Sequence, residues 1–399
     1  MPRPVRELPP GSRLTDHISL GVIAKTFPIT RIEAILQQTG KASVRQRDLP
    51  AHLVVYYVIA LALYMNASYR EVLRCLLDGL RWLQGPQTVV KVAGKAAISR
   101  ARTRLGWKVL EQLHDELVQP IATDSTPGAW YRSWRMVSLD GSTLDLADET
   151  AIEATFTRPS ASRGQSAFPQ LRFVSLVENG THVLFGTRFA GYDTGEITLA
   201  KEVVDALRPG MLCLADRLFY GYELWHQASQ TGADLLWRLK KNMRLPCEKR
   251  LTDGSYLSRV YACEKDQRRK ENGTVVRVID YEMVGVEGAE PLYRLVTTLL
   301  DPRKAPADEL APLYHERWEI ETALDELKTH LRGAKIVLRS KTPDLVRQEF
   351  YGLLLAHFAI RSLMHEAALQ VGEDPDRLSY LHTVRVVRRK VALFAATPP

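Results

Sequence analysis

The chain has 399 residues, 45% hydrophobic and 25% charged, which is the composition of an ordinary folded protein with a sizeable core and room for two or three domains. Its 54 Lys and Arg against 46 Asp and Glu leave a formal charge of +8, which favours a polyanionic partner. Four scattered cysteines, Cys75, Cys213, Cys247 and Cys263, form no Cys-x-x-Cys pair, which argues against a zinc site or disulfide framework and for reduced thiols.

Met1 to Leu14 is rich in Pro and Arg and lacks the apolar middle section of a signal peptide. Residues 15 to 117 are expected to be helical, with a cap at Thr15-Asp16-His17-Ile18. The apolar run Ala51 to Met65 is too short to cross a bilayer comfortably, so it is expected as a buried helix and no membrane association is expected. Ser68-Tyr69-Arg70-Glu71 has the form of a capping box at the head of a helix Glu71 to Gly79. Lys95 to Leu117 is a further periodic stretch. Its Arg100, Arg102, Arg104 and Lys108 suit either a solvated face or a basic binding surface. A Pro- and Gly-bearing connector, Pro120 to Trp130, follows.

From Trp134 the pattern turns to strands. Met136 to Leu146 alternates around Asp140. Leu171 to Glu178 and His182 to Phe189 form an expected hairpin joined by Asn179-Gly180, a favoured two-residue turn. A helix from Ile197 to Leu207, a buried strand from Met211 to Ala215, a helix from Tyr222 to Gln230 and a strand from Ala233 to Leu239 complete a mixed sheet with helices on it. Residues 243 to 299 are expected as an all-β insertion. Basic residues far outnumber acidic ones from Arg238 to Lys270, a range that ends on Lys265, Arg268, Arg269 and Lys270, which points to contact with a nucleic-acid backbone. A last helix is expected from Phe350 to Leu369. The tail is basic at Arg385, Arg388, Arg389 and Lys390.

Between the insertion and that last helix lies Tyr314-His-Glu-Arg317-Trp-Glu-Ile-Glu321-Thr-Ala-Leu-Asp-Glu-Leu-Lys328. On a single α-helix Tyr314, Arg317, Glu321 and Lys328 fall at about 0°, 300°, 340° and 320°, one narrow stripe. A carboxylate flanked by cations suits a metal ligand beside a phosphate. Phosphodiester chemistry with two metals needs further converging carboxylates on rigid elements. Asp140 follows the apolar strand Met136 to Leu139, and Asp216 follows Leu212 to Ala215. Each taken alone also suits a turn residue, and Glu321 taken alone suits a surface helix. Asp325, at about 20° on the same stripe, is either a brace for a cation or a stand-in ligand.

Asp140, Asp216 and Glu321 resemble the Asp-Asp-Glu triad of transposases with a ribonuclease-H-like core. The Tyr-x-x-Arg-x-x-x-Glu-x6-Lys spacing at Tyr314, Arg317, Glu321 and Lys328 resembles the signature of the insertion-sequence-4 family. Asp140-Gly141-Ser142-Thr143 and Asp216-Arg217 with Phe219-Tyr220 resemble its two Asp motifs, and Arg47 to Leu73 resembles its N-terminal domain. The resemblance covers roughly residues 15 to 365 and implies an α/β fold: a helical N-terminal domain (1–118), a mixed-sheet catalytic core in two parts (130–242 and 300–365) interrupted by the all-β insertion (243–299), and a tail (366–399).

The resemblance further implies a cut-and-paste DNA transposase that binds terminal inverted repeats. Asp140, Asp216 and Glu321 would be catalytic and would hold two Mg2+ or Mn2+ ions. Tyr314, Arg317, Lys328 and Arg217 would contact phosphates. In some relatives the reaction can pass through a DNA hairpin with a flipped base, for which Trp318 or Trp237 could be a platform. Double-stranded DNA, as transposon ends and as target, is the implied partner. A homodimer on DNA and a cytoplasmic, nucleoid-associated bacterial location go with it. A nuclease or resolvase with the same core but no strand transfer, or a DNA-binding protein that has lost catalysis, are the alternatives.

Overall fold

The computed structural model describes residues 18–44, 49–84, 92–161, 164–165, 168–241, 243, 245–283, 290–333 and 336–388. The expected cap at Thr15 to His17, the stretch Met1 to Leu14, and Arg47, Asp48, Arg244, Arg389 and Lys390 lie outside them. The chain forms two compact units. One joins residues 1–119, 144–169 and 325–399; the other joins 120–143 with 170–324.

The first unit is built on two helices. Ala51–Leu63 is apolar on every face and buried from Leu53 onward. It packs against Pro343–Val371, which is buried on most sides along its middle, not on one side only. Gly352 makes that approach possible: a Cβ there would sit 2.8 Å from the Val58 carbonyl oxygen. Ser68 caps Tyr69–Gln84, its hydroxyl accepting from the Glu71 N–H at 3.2 Å. The stretch Lys95 to Leu117 is two helices, Lys95–Leu105 and Lys108–Leu117, because Gly106 breaks it at φ 74°. Arg102 does not belong to the basic surface. It is 3% exposed and donates to Gln348 Oε1 at 2.8 Å and Ser340 Oγ at 3.0 Å. No helix among the described residues is long and apolar enough to cross a membrane.

The strands are β1 (Trp130–Tyr131), β2 (Trp134–Asp145), β3 (Ser160–Ala161), β4 (Gly164–Gln165), β5 (Gln170–Glu178), β6 (Val183–Gly191), β7 (Met211–Ala215), β8 (Asp234–Arg238), β9 (Lys249–Arg250), β10 (Tyr256–Val260), β11 (Thr274–Tyr281) and β12 (Tyr293–Thr297). All but β3 and β4 form one sheet, ordered β6-β5-β2-β7-β8-β12-β11-β10-β9, with β1 paired to β2. This is a mixed α/β architecture. Strands β2, β7 and β8 are mutually parallel, and the helices Glu196–Val203 and Tyr222–Gln230 lie in the connections between them.

The insertion does not make a sheet of its own. Its β12 pairs antiparallel with β8, Val296 opposite Trp237, so it continues the core sheet. Among its described residues it also carries a short helix, Glu264–Arg269, between its strands. Trp237 is wholly buried in the core, edge-on to Trp225 with ring centroids 5.2 Å apart, and offers no surface to a base. The hairpin loop is longer than two residues. Glu178 pairs with Val183, so Asn179 to His182 all lie in the turn.

A Gly352→Ala variant tests the helix contact. Ala is favoured over Gly in a helix by about 1 kcal/mol. Overpacking against a fixed carbonyl costs roughly 1–3 kcal/mol. The clash is expected to win, lowering the melting temperature; a raised melting temperature would show that the two helices yield freely.

Candidate active site

Burial of the strands sets the site. Met136, Val137, Ser138 and Leu139 are all buried, as are Met211 to Ala215, so β2 and β7 are fixed by packing on both faces. Leu139 pairs with Ala215 in parallel register. Asp140 and Asp216 therefore stand at the same level on neighbouring strands, whose backbones are about 4.8 Å apart. Asp216 leaves the sheet at a tight turn, its carbonyl accepting from the Phe219 N–H at 3.0 Å.

The segment from Ala307 to Leu331 does not keep one helical pitch. Ala307–Leu313 is α-helical, Tyr314–Trp318 is a 3-10 turn, Glu319–Asp325 is α-helical, and Glu326–Leu331 is a π-helix. The single-pitch wheel is thus corrected. In the tight 3-10 turn, residues three apart eclipse one another, which stacks Tyr314 and Arg317 on one side. Arg317 and Glu321 are then one α-turn apart. Lys328, in the π-helix, belongs to the first unit, while the other three belong to the second.

Arg317 is the hub. It is 8% exposed. Its Nη1 lies 3.4 Å from Asp140 Oδ2 and its Nη2 lies 3.5 Å from Glu321 Oε1. Burial opposes its charge, but Tyr314 and the carboxylates of Asp140, Asp216 and Glu321 outweigh it and raise its pKa. Its Nε is buried with no hydrogen-bond partner among the described residues. Trp318 is exposed, its ring centroid 5.4 Å from the guanidinium. Tyr314 is buried, and its hydroxyl donates to the Ala215 carbonyl at 3.3 Å, pinning the turn to the strand that delivers Asp216. That hydroxyl, expected at a phosphate, is thereby engaged with the protein backbone.

Asp140 accepts from the Gly141 N–H at 2.7 Å. Burial pushes its carboxyl up to about 6; the Gly141 hydrogen bond and Arg317 pull down, while Glu196 and Asp216 push up. Glu196 is a residue that sequence reading missed. It opens the helix Glu196–Val203, and a Cβ on Gly141 would sit 3.1 Å from its Oε1. A first-turn acid looks like ordinary helix chemistry in sequence. The one available signal was the glycine directly after Asp140.

The other expected residues are placed as follows. Arg217 donates to Glu290 Oε1 at 2.8 Å, and Arg238 shares that carboxylate at 2.9 Å. Those two guanidinium groups outweigh the effect of burial and lower the Glu290 pKa. Lys328 is half-buried; burial and then Arg332 lower its pKa, against Asp145 and Asp325. Asp325 lies 3.3 Å from His330 Nε2 within the first unit. Lys265, Arg268, Arg269 and Lys270 are all exposed on or beside Glu264–Arg269, and Arg268 pairs with Glu264 at 3.0 Å.

A family model described as the insertion element 4 transposase N-terminal domain matches residues 17–115. A second, described as a transposase DDE domain, matches residues 135–359. The transposase InsG for insertion sequence element IS4 of Escherichia coli (strain K12) is 25% identical over 374 residues, covering 92% of this chain and 82% of that protein. The piggyBac transposase in its synaptic complex with hairpin DNA aligns with a TM-score of 0.46 and 11% identity, over 94% of this chain and 81% of that one.

The raised Asp140 pKa has a consequence for stability. Its folded-state value lies above the ordinary 3.8, so the ionised group opposes folding. That opposition is absent where the carboxyl is protonated in both states and complete above about pH 6. Asp140→Asn is therefore expected to raise the melting temperature at pH 7.5 in a chelating buffer, and to leave it unchanged near pH 3. Calorimetry at the two pH values checks this; an equal gain at both would assign the effect to packing.

Proposed function

The chain belongs to the insertion-element-4 family of transposases with a DDE domain, and we propose that it binds the terminal inverted repeats of its own element, cuts DNA there and joins the freed 3′ ends to target DNA. One observation carries this reading: Asp140 and Asp216 in matched register, with Glu321 joined to Asp140 through Arg317. A guanidinium in contact with carboxylates on two different elements marks where cations are attracted.

The donor set fits divalent cations. Asp140, Asp216 and Glu321, with Glu196 beside Asp140, supply only hard carboxylate oxygens, which suit Mg2+ or Mn2+. One buried guanidinium offsets only part of that negative charge. Asp140, Asp216 and Glu321 would hold the metal. Bound there, two such ions would supply activation of an attacking water or 3′-hydroxyl and stabilisation of the leaving oxygen.

The remaining roles follow from donors and exposure. Arg317 keeps a buried Nε donor and suits a phosphate oxygen of the scissile strand. Tyr314 holds the turn that presents Arg317, rather than touching the phosphate itself. Lys328 is kept as a point-charge phosphate contact on the strength of its place in the signature. Arg217, steadied by Glu290, is a further phosphate contact beside Asp216. Trp318 is exposed and flanked by a cation, which suits stacking on an extruded base in a hairpin step. The insertion helix with Lys265, Arg268, Arg269 and Lys270 runs against the DNA backbone. The N-terminal helices read the ends. Coupling two ends requires a homodimer on DNA, in the bacterial cytoplasm beside the nucleoid.

Glu321→Ala is expected to reduce Mg2+-dependent end cleavage on the order of 10³-fold while a gel-shift assay still detects end binding. Cleavage at the wild-type rate would sink the assignment. Neutralising Lys265, Arg268, Arg269 and Lys270 to Gln is expected to flatten the salt dependence of DNA binding, by about one unit of slope for each phosphate no longer neutralised. An unchanged slope would remove the insertion from the interface.

A further inference from the structure

We infer that Asn179 is a positioning residue for Arg317, and that the hairpin loop holding it is a dock for the catalytic turn; this rests on the reading of Arg317 as a phosphate contact. Asn179 is wholly buried. Its backbone N–H donates to the Met136 carbonyl at 3.1 Å. Its side-chain Oδ1 accepts from Ser138 Oγ at 2.9 Å, and its Nδ2 donates to the Glu316 carbonyl at 2.8 Å. Ser138 is two residues before Asp140, and Glu316 is the residue before Arg317. A single amide thus ties the strand that delivers the first carboxylate to the turn that delivers the guanidinium.

The amide orientation is dictated by chemistry. The Glu316 carbonyl only accepts, so Nδ2 must face it, and the Ser138 hydroxyl is left to donate to Oδ1. Gly180 adds a second tie, its N–H donating to the Glu319 carboxylate two residues beyond Arg317. Gly180 has φ 76°, and a Cβ there would sit 2.3 Å from the Pro127 carbonyl oxygen. Only glycine lets the loop come this close. A solvated hairpin turn needs none of these contacts. They make sense if the backbone turn that presents Arg317 must be held tightly, since a misplacement of about 1 Å costs on the order of 10²-fold in rate.

Asn179→Asp keeps the shape but turns the donor facing the Glu316 carbonyl into an acceptor. The experiment is a double-mutant cycle with Arg317→Lys, read as single-turnover end cleavage and as end-binding affinity. Arg317→Lys alone tests the underlying reading; cleavage at the wild-type rate overturns it. In the wild-type background Asn179→Asp is expected to slow cleavage by about 10- to 100-fold with end affinity held. In the Arg317→Lys background it is expected to add less than about twofold, because its effect passes through the guanidinium. The same loss in both backgrounds overturns the inference while leaving the role of Arg317 intact. Should Asn179→Asp fail to fold, Ser138→Ala enters the same cycle with the same two outcomes.

Discussion

A buried guanidinium between two carboxylates from separate elements is the constraint on which the candidate site depends. Arg317 meets Asp140 on a central strand and Glu321 on the helix that follows it. Taking such a cation out of water is costly unless its partners are fixed. The fold supplies that fixity through buried parallel strands in register, through the Tyr314 hydroxyl on the Ala215 carbonyl, and through the Asn179 amide on the Glu316 carbonyl. Each tie reaches the backbone of the 3-10 turn, or a side chain on it, from a different part of the sheet. The turn is therefore positioned by the sheet and not by its own helical propensity.

The same constraint explains the changing helical pitch. Pro312, inside Ala307–Leu313, cannot donate a backbone hydrogen bond, and the chain tightens to a 3-10 turn at Tyr314. The tightening eclipses Tyr314 and Arg317, so that one reaches a strand carbonyl while the other reaches a strand carboxylate. The return to α-helix then brings Glu321 within reach of Arg317. Asp140 stands at the cost end of this arrangement: its carboxyl is pushed up to about 6, chiefly by burial, with the nearby Glu196 pushing the same way. A site that gathers burial and like charge is held against local stability, as functional sites commonly are.

Much of this was legible in sequence, and the misses have physical reasons. Asp140 and Asp216 stood out because each ends a short apolar run, and parallel strands bring such ends together. Glu321 was legible through its spacing from Tyr314 and Arg317. The wheel was wrong in detail because it assumes one pitch along a segment that adopts three. Asn179 looked like a turn former, since a sequence shows a residue's local options and not a carbonyl offered by a segment 137 residues away. Arg102 looked like surface charge for the same reason: its partner Gln348 lies 246 residues on. Glu196 was hidden because a lone acid at a helix start is commonplace. The insertion was legible as strands, but its continuity with the core sheet depends on the pairing of β12 with β8, which no local pattern encodes.

In the reading proposed above, Asp140, Asp216 and Glu321 form one cation site whose counter-charge, in the protein alone, is Arg317. Anomalous diffraction from crystals grown with Mn2+ and a cleaved transposon end bears on it without an intermediate step. Metal density held by those three carboxylates is expected, with the Arg317 guanidinium turned from Asp140 to a phosphate oxygen. Metal bound elsewhere, or density absent while Arg317 keeps both carboxylates as they stand here, would contradict it.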